Sequence, residues 1–314
     1  MLRCASPFVV TAYAKVRLTP QDSRALPAAF LRSRPVLKAF ITYCENMNPR
    51  PVFVGVDIGA SRTKVAVLDS AKRLIGHAVS KSGNDFSAAA ENCLTVSLAM
   101  ANASREEIVA SISTGYGRRN VSFATAEKTE ISCHGKGCFH YFPFQISIID
   151  IGGQDNKIIK LDGEGRRTGF KMNRKCAAGT GAFLEEMSVR LDIPLETMDG
   201  LARQSRNLVE LGSFCTVFSA TEVLEKIRQG KKVPDIVKGL FLSVIKRVLE
   251  MESLTENVVM TGGVVAHNPF LVTMSEEMLG RKLFVPDHPQ LTGAIGAALY
   301  AIEAGMAACI KQEV

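Results

Sequence analysis

Two stretches of this chain carry one pattern: Val56-Asp57-Ile58-Gly59-Ala60-Ser61-Arg62-Thr63-Lys64 and Ile149-Asp150-Ile151-Gly152-Gly153-Gln154-Asp155-Asn156-Lys157. In both, Asp-Ile-Gly is followed by Lys seven residues after the Asp, and Leu-Asp recurs at the next matching offset. Each stretch predicts an apolar strand, a tight glycine turn and a second apolar strand. Because such turns let backbone N–H groups approach phosphate oxygens, and because Asp can position hydrated Mg²⁺, the pattern indicates a duplicated hairpin that holds a polyphosphate from two sides.

Strands alternate with helices along the rest of the chain, which predicts an α/β fold. Helices are expected at 87–103, 182–191, 194–205, 220–229, 234–252, from 269 and from 292; further strands are expected at 108–113, 168–172, 257–260 and near 283–285. Two α/β lobes that each begin with a phosphate-binding hairpin resemble the plan shared by actin, sugar kinases and heat-shock chaperone ATPases. That plan places nucleotide between the lobes, with adenosine at the glycine turn Gly262-Gly263.

The predicted domains are a basic extension at 1–46, a first lobe at 47–143 completed by the C-terminal helix 292–314, and a second lobe at 144–291. The chain has a formal net charge of +7. Residues 1–46 hold seven Lys/Arg and two acids and so contribute +5, which leaves +2 for the body. This balance argues against a nucleic-acid-binding body. No stretch is expected to span a membrane. The extension is predicted to be disordered or to precede a true start at Met47.

Two of the eight cysteines lie among glycines and small residues. Cys133 belongs to 131–138, which is predicted to be a turn-rich patch, and Cys176 precedes a predicted helix N-terminus. A helix dipole and nearby lysines, Lys136 and Lys175, favour thiolate, and thiolates hold iron–sulfur clusters, usually four at a time. One chain offers two such cysteines, so two chains at a two-fold axis would complete the set.

Further motifs extend the pattern: Ser113-Thr114-Gly115-Tyr116-Gly117-Arg118, Lys175-Cys176-Ala177-Ala178-Gly179-Thr180-Gly181 and Cys215-Thr216-Val217-Phe218. Together with the two hairpins, they make the chain resemble the activators of 2-hydroxyacyl-CoA dehydratases, from about Pro51 to Ala304. The resemblance implies a cytoplasmic homodimer with one [4Fe–4S] cluster held by Cys133 and Cys176. It also implies ATP-driven one-electron transfer from ferredoxin or flavodoxin to a dehydratase, an aryl-CoA reductase or a double-cubane protein. Cys215 is predicted to be a core residue, and Cys138 a surface thiol or an alternative ligand.

The predicted roles divide between the two turns. Asp57 and Asp150 are expected to organise Mg²⁺ and its waters, and Gln154 or Asp155 to orient the attacking water. Residues expected to contact the nucleotide are Gly59, Ser61, Thr63, Lys64, Gly152, Gly153, Lys157, Gly179, Thr180, Gly181, Gly262 and Gly263. The segment from Cys176 to Gly181 is expected to couple lobe closure to the cluster.

Three other interpretations remain open on the sequence. A small-molecule kinase, such as an amino-sugar kinase, would share the fold and need no iron. A nucleotide-gated regulator would bind ATP and a partner without useful turnover. A cluster could also lie within one chain, on Cys133, Cys138, Cys176 and Cys215.

Overall fold

A computed structural model describes residues 50–173, 176–212 and 215–312, so the predicted extension, the predicted start at Met47 and Lys175 lie outside the described residues. The first sheet has the order β3-β2-β1-β4-β5. Its strands are β1 (Val52–Ile58), β2 (Arg62–Asp69), β3 (Leu74–Lys81), β4 (Ile108–Gly115) and β5 (Ala126–Glu127). The hairpin β1–β2 is antiparallel, and β4 adds to β1 in parallel.

The second sheet repeats this arrangement with the order β8-β7-β6-β9. Its strands are β6 (Ile146–Ile151), β7 (Asn156–Leu161), β8 (Arg167–Asn173) and β9 (Val258–Thr261). Here β6 pairs antiparallel with β7 and parallel with β9, as β1 does with β2 and β4. Strands β1 and β6 consist mostly of apolar residues, and every residue of both strands is buried.

Helices cover the sheets and join the two lobes. They are α1 (Phe86–Ala101), α2 (Glu130–Tyr141), α3 (Gly181–Leu191), α4 (Met198–Arg203), α5 (Thr216–Arg228), α6 (Val233–Leu249), α7 (Gly263–His267), α8 (Pro269–Leu279) and α9 (Thr292–Gln312). Short 3₁₀ turns lie at Arg105–Glu107, Arg118–Asn120, Leu195–Thr197 and Pro289–Leu291. Helix α9 returns to the first sheet and shares a core with β1 and β4, while most of the other late helices pack in the core of the second. The residue limits of the lobes stay a prediction.

We expected no stretch long and apolar enough to cross a membrane, but Pro289–Ala308 meets both criteria. About 72% of this stretch is buried inside the protein. Its contacts with the first sheet are those of a core helix.

The expectation of a turn-rich patch at 131–138 is wrong, because these residues lie in helix α2. Thr129 caps this helix by accepting a hydrogen bond from the Ser132 amide at 3.3 Å. The glycines serve helix packing: a Cβ on Gly137 would lie 2.1 Å from the Thr292 carbonyl oxygen. A Cβ on Gly296 of α9 would similarly lie 1.8 Å from the Cys133 carbonyl oxygen. These glycines therefore let α2 and α9 pack backbone against backbone. The strand expected at 283–285 is reduced to a single bridge between Val259 and Phe284.

Candidate functional site

The first hairpin turn is closed by hydrogen bonds that leave its Asp deep in the protein. The Gly59 amide donates to the Arg62 carbonyl at 3.0 Å. Asp57 and Lys64 are opposite each other in the register, and the Lys64 ammonium lies 3.0 Å from Asp57 Oδ2. The other carboxylate oxygen, Asp57 Oδ1, is buried and accepts no hydrogen bond from any described residue. Because an unsatisfied buried carboxylate oxygen is costly, this atom fits a role in holding a cation or its water.

The second turn reproduces the first almost bond for bond. The Gly152 amide donates to the Asp155 carbonyl at 2.9 Å, and Asp150 stands opposite Lys157. Lys157 is almost fully buried and contacts three carboxylates: Asp150 at 3.1 Å, Glu130 at 2.9 Å and Asp155 at 2.5 Å. Burial alone would lower the pKa of the Lys157 ammonium, but these carboxylates raise it above its usual range. Lys157 is therefore a fixed positive charge at this turn.

The two turns meet face to face. The Gln154 side-chain amide donates to Ser61 Oγ at 3.5 Å, and a Cβ on Gly153 would lie 2.9 Å from the same oxygen. The backbones of both turns therefore border one space, as the duplicated pattern predicts.

A glycine with positive φ lies over each Asp. Gly115 (φ +87°) is the last residue of β4, and Gly262 (φ +103°) follows β9. A Cβ on Gly115 would lie 2.6 Å from Asp57 Oδ1, and a Cβ on Gly262 would lie 2.6 Å from Asp150 Oδ1. The duplication therefore includes a Thr-Gly pair at the end of the strand that runs parallel to the first strand of each hairpin: Thr114-Gly115 at the end of β4 and Thr261-Gly262 at the end of β9. Thr114-Gly115 was not recognised as part of the site, although its match to Thr261-Gly262 was visible in the sequence.

The base of the cleft holds a buried histidine that the sequence interpretation missed. His134 Nδ1 lies 3.1 Å from Thr292 Oγ1, and its Nε2 lies 3.7 Å from Asp150 Oδ2. A Cβ on Gly293 would lie 3.0 Å from both His134 Nε2 and Asp57 Oδ2. The imidazole thus stands between the carboxylates of the two lobes. A third Thr-Gly pair, Thr292-Gly293, was the available signal.

Glu130, His134 and Asp150 could together hold a metal ion by geometry alone, since their ligand atoms lie within 4.8 Å of one another. The Lys157 ammonium, however, lies within 3.1 Å of both carboxylates and supplies the positive charge there. Burial alone would raise the pKa of Asp150, whereas His134 and Lys157 lower it below its usual value. The group therefore forms an ion-paired network around Asp150.

Replacing His134 by Gln is expected to slow ATP hydrolysis about tenfold while changing the KM for ATP less than threefold. Gln cannot contact both Thr292 and the carboxylates as the ring does, so Asp57 and Asp150 lose their alignment, and misplacement of this kind costs turnover more than binding. Steady-state phosphate release measures this, with His140→Gln at the far end of α2 as the matched control. Equal kcat in the wild type and in His134→Gln would contradict the positioning role.

The segment after Cys176 is bonded directly to the second turn. The Gly181 amide donates to the Gly152 carbonyl at 2.9 Å, and the Ala182 amide donates to the Gly153 carbonyl at 2.8 Å. The Asn156 side chain adds a hydrogen bond to the Gly179 carbonyl at 2.8 Å. The amides of Gly181 and Ala182 are thereby occupied by protein carbonyls. Gly179, Thr180 and Gly181 thus connect the turn to α3, and their predicted contact with the nucleotide stays a prediction.

The burial of Cys133 does not favour its predicted ligand role, which stays a prediction. Cys133 is 0% exposed in the core between α2 and α9, and desolvation by burial raises the pKa of its thiol to about 12. Burial likewise raises the pKa of Cys138, which is neither a surface thiol nor accessible to a partner. Both sulfurs lie inside the protein core, and this position does not favour either as a ligand of a cluster shared with a second chain or held within one chain.

Cys215 does not lie in the core, where it was predicted. It is partly exposed and precedes α5 as its cap residue, while Cys176 is exposed. Burial lowers the pKa of the Arg247 guanidinium, and both Cys176 and Cys215 oppose this shift through their charge. Arg247 also lies 5.6 Å over the Phe183 ring of α3, and its Cβ would be 3.3 Å from a Cβ on Gly179. The two accessible thiols thus both act electrostatically on one guanidinium, which lies beside the segment bonded to the second turn.

Comparison with known proteins gives a consistent picture. Residues 54–301 match the model of the BadF/BadG/BcrA/BcrD ATPase family. The chain is 38% identical over 253 residues to the 2-hydroxyisocaproyl-CoA dehydratase activator of Clostridioides difficile, covering 80% of this chain and 94% of that protein. The structure of such an activator from Clostridium difficile with bound ADPNP superposes with a TM-score of 0.77 at 38% identity, covering 84% of this chain and 98% of that one. Component A of (R)-2-hydroxyglutaryl-CoA dehydratase from Acidaminococcus fermentans gives a TM-score of 0.77 at 34% identity, covering 81% and 99%.

Proposed function

The chain belongs to the BadF/BadG/BcrA/BcrD ATPase family, and on that premise we propose that it is an ATP-driven one-electron donor for a CoA-ester dehydratase or a related reductase or double-cubane protein. Its actin-like two-lobed fold and its ATPase character, both predicted, are confirmed by the family match and by the activator structures. The observation that carries the proposal is the pair of hydrogen bonds from Gly181 and Ala182 to the carbonyls of Gly152 and Gly153. They join a phosphate turn to the segment that begins at Cys176.

ATP is proposed to bind between the two turns. The backbone of Gly59, Gly152 and Gly153, with the side chains of Ser61, Thr63 and Lys64, would hold the phosphates, and Gly262 and Gly263 would pack against adenosine. The buried, unbonded Asp57 Oδ1 and the carboxylate of Asp150 fit Mg²⁺ and its waters. When bound, Mg²⁺ neutralises the charge that develops on the phosphoryl oxygens. Gln154 or Asp155 orients the attacking water, and Lys157 keeps Asp150 and Asp155 in place.

The cysteines support a cluster at a different pair from the one predicted. Of the cysteines whose burial the structure describes, Cys176 and Cys215 are the two that solvent can reach. Cys215 lies at the N-terminus of α5, where the helix dipole favours the thiolate form. The two cysteines are proposed to hold a [4Fe–4S] cluster, which when bound supplies a one-electron redox centre. Two chains would provide the four thiolates. Next to Cys215, Val217 and Phe218 are 71% and 68% exposed, and a second copy of the chain is proposed to cover them.

Coupling follows from the backbone connection. A change in the position of the second turn on ATP binding or hydrolysis would be passed through Gly181 and Ala182 to the N-terminus of α3, and thus to Cys176. Arg247, on which both thiols act electrostatically and which packs on Phe183 of α3, would move relative to them. The electron is proposed to come from ferredoxin or flavodoxin, in the cytoplasm.

Replacing Gln154 by Ala is expected to slow ATP hydrolysis about 10²-fold, because a group that orients the attacking water is lost. Electron delivery to an acceptor should fall in parallel, while the iron content stays at the wild-type value, since Gln154 contacts Ser61 and no cysteine. Phosphate release and iron content measure the two effects, with the exposed Gln204→Ala as the control. Loss of iron in Gln154→Ala, or unchanged hydrolysis, would count against this assignment.

A further inference from the structure

A strongly basic edge strand leads to Cys176. The stretch Arg166-Arg167-Thr168-Gly169-Phe170-Lys171-Met172-Asn173-Arg174-Lys175 contains five basic residues and no acidic one. Its described part includes β8, which lies at the edge of the second sheet and, among the strands of the described residues, pairs only with β7. The last residue of β8, Asn173, donates from its side chain to the Cys176 carbonyl at 3.4 Å. One end of this edge is therefore at the proposed redox centre.

Part of this charge is left without an acidic partner. Arg166 is paired with Asp162 and Glu164, both at 2.9 Å. In contrast, Arg167 and Lys171 are exposed and form no ion pair with any residue in the described ranges. Their charges are therefore available to an outside partner.

The exposed edge also carries an aromatic ring. Phe170 is 51% exposed, and the Arg167 guanidinium lies 5.3 Å over its ring. A further exposed lysine, Lys128, lies 5.3 Å from the Tyr300 ring, and Arg167 acts electrostatically on the same tyrosine. Arginine and aromatic side chains are the residues that contribute most at protein interfaces. We call Lys128, Arg167, Phe170 and Lys171 the basic edge.

Charges on an edge strand often serve only to prevent strand addition by another chain. One lysine suffices for that purpose, and an exposed phenylalanine opposes it. The basic edge instead combines several positive charges with an exposed ring, and its strand β8 ends at Asn173, which contacts Cys176. This combination favours a surface that attracts an acidic protein.

We propose that the basic edge docks an acidic electron-carrier protein of the ferredoxin type, which reduces the centre at Cys176 and Cys215. This inference rests on the proposed function and adds the docking place and chemistry of the donor. In the step, the reduced carrier loses one electron, the centre gains one electron, and no bond is made or broken. A small, charged contact suits such a donor, because redox partners meet in weak, transient interfaces that charge steers together.

The test uses the full-length, anaerobically prepared protein and a reduced, purified acidic ferredoxin in stopped-flow mixing. The variant Arg167→Glu with Lys171→Glu is compared with Arg73→Glu with Lys81→Glu, which reverses two charges beside and within β3, the edge strand of the other sheet. At low salt, the second-order rate constant of the first variant is expected to fall at least about tenfold, and that of the control less than about twofold. Added salt should slow the wild type towards the rate of the variant.

Dithionite, a small reductant, separates this proposal from the proposed function. Equal rates with ferredoxin in the wild type and in Arg167→Glu with Lys171→Glu, while dithionite reduces both, would overturn the docking proposal and leave the proposed function standing. A changed molar mass of that variant would overturn it as well, by making the basic edge a contact between copies of this chain. Loss of electron delivery to the acceptor with normal ferredoxin reaction would assign the surface to the acceptor. A wild-type protein without a reducible centre would remove both proposals.

Discussion

Replacing Cys176 or Cys215 by Ser is expected to remove nearly all iron from the anaerobically prepared protein, whereas Cys133→Ser should leave its iron content unchanged. The two former thiols are accessible to solvent, and both act electrostatically on the Arg247 guanidinium. The Cys133 thiol is buried in the core with its pKa raised to about 12, so it is a poor thiolate donor. Each single loss of Cys176 or Cys215 would remove two of four ligands in a dimer, because both chains carry the change.

Iron and acid-labile sulfide per chain measure this effect, and the melting temperature of each variant shows whether it is folded. Cys133→Ser places a hydroxyl in an apolar core and should cost about 1–2 kcal/mol of stability, so its iron must be measured well below its melting temperature. Cys93→Ser, another buried thiol, is a second control. Full iron in Cys215→Ser together with iron loss in Cys133→Ser would restore the ligand pair predicted from the sequence and refute the one proposed from the structure.

Replacing Asp57 by Asn is expected to lower kcat for ATP hydrolysis at least about 10²-fold, the usual cost of losing one preorganised charged group at a phosphoryl or oxyanion site. The carboxylate has one oxygen paired with Lys64 at 3.0 Å and the other unpaired among the described residues and buried. Asn keeps the size of the side chain, but it lacks the charge that suits Mg²⁺ and presents an NH₂ group where an acceptor is needed.

Phosphate release under saturating Mg²⁺ and ATP measures the change. Asp69→Asn at the other end of the same hairpin is the control, because Asp69 pairs with Arg73 at the surface and lies far from the turn along β2. Hydrolysis within threefold of the wild type in Asp57→Asn would show that this carboxylate has no part in organising the cation.

The repeated hairpin could be predicted from the sequence because all its determinants are local. Strand periodicity, the glycine turn and the Asp-to-Lys spacing fix both the pairing of Asp57 with Lys64 and that of Asp150 with Lys157. The meeting of Ser61 with Gln154 followed from the same symmetry.

Long-range contacts were beyond such reasoning. Gly135 and Gly137 suggested a turn at Cys133, but both belong to helix α2. Gly137 makes room for the backbone of α9 at Thr292, a residue 155 positions away along the chain, and local sequence patterns do not reveal such a contact. Glu130 meets Lys157, and His134 meets Thr292, for the same reason: α2 carries them into a cleft formed by later strands. Cys215 was predicted to be a core residue because the family resemblance gave it no ligand role, yet it is partly exposed, and its neighbours Val217 and Phe218 are exposed.

In the proposed function, two copies of the chain share one iron–sulfur centre. The most direct measurement is the iron and sulfide content per chain of the anaerobically purified full-length protein, taken together with its molar mass in solution by light scattering. We expect a dimer with about two irons and two sulfides per chain. A monomer that stays free of iron after anaerobic reconstitution would contradict it.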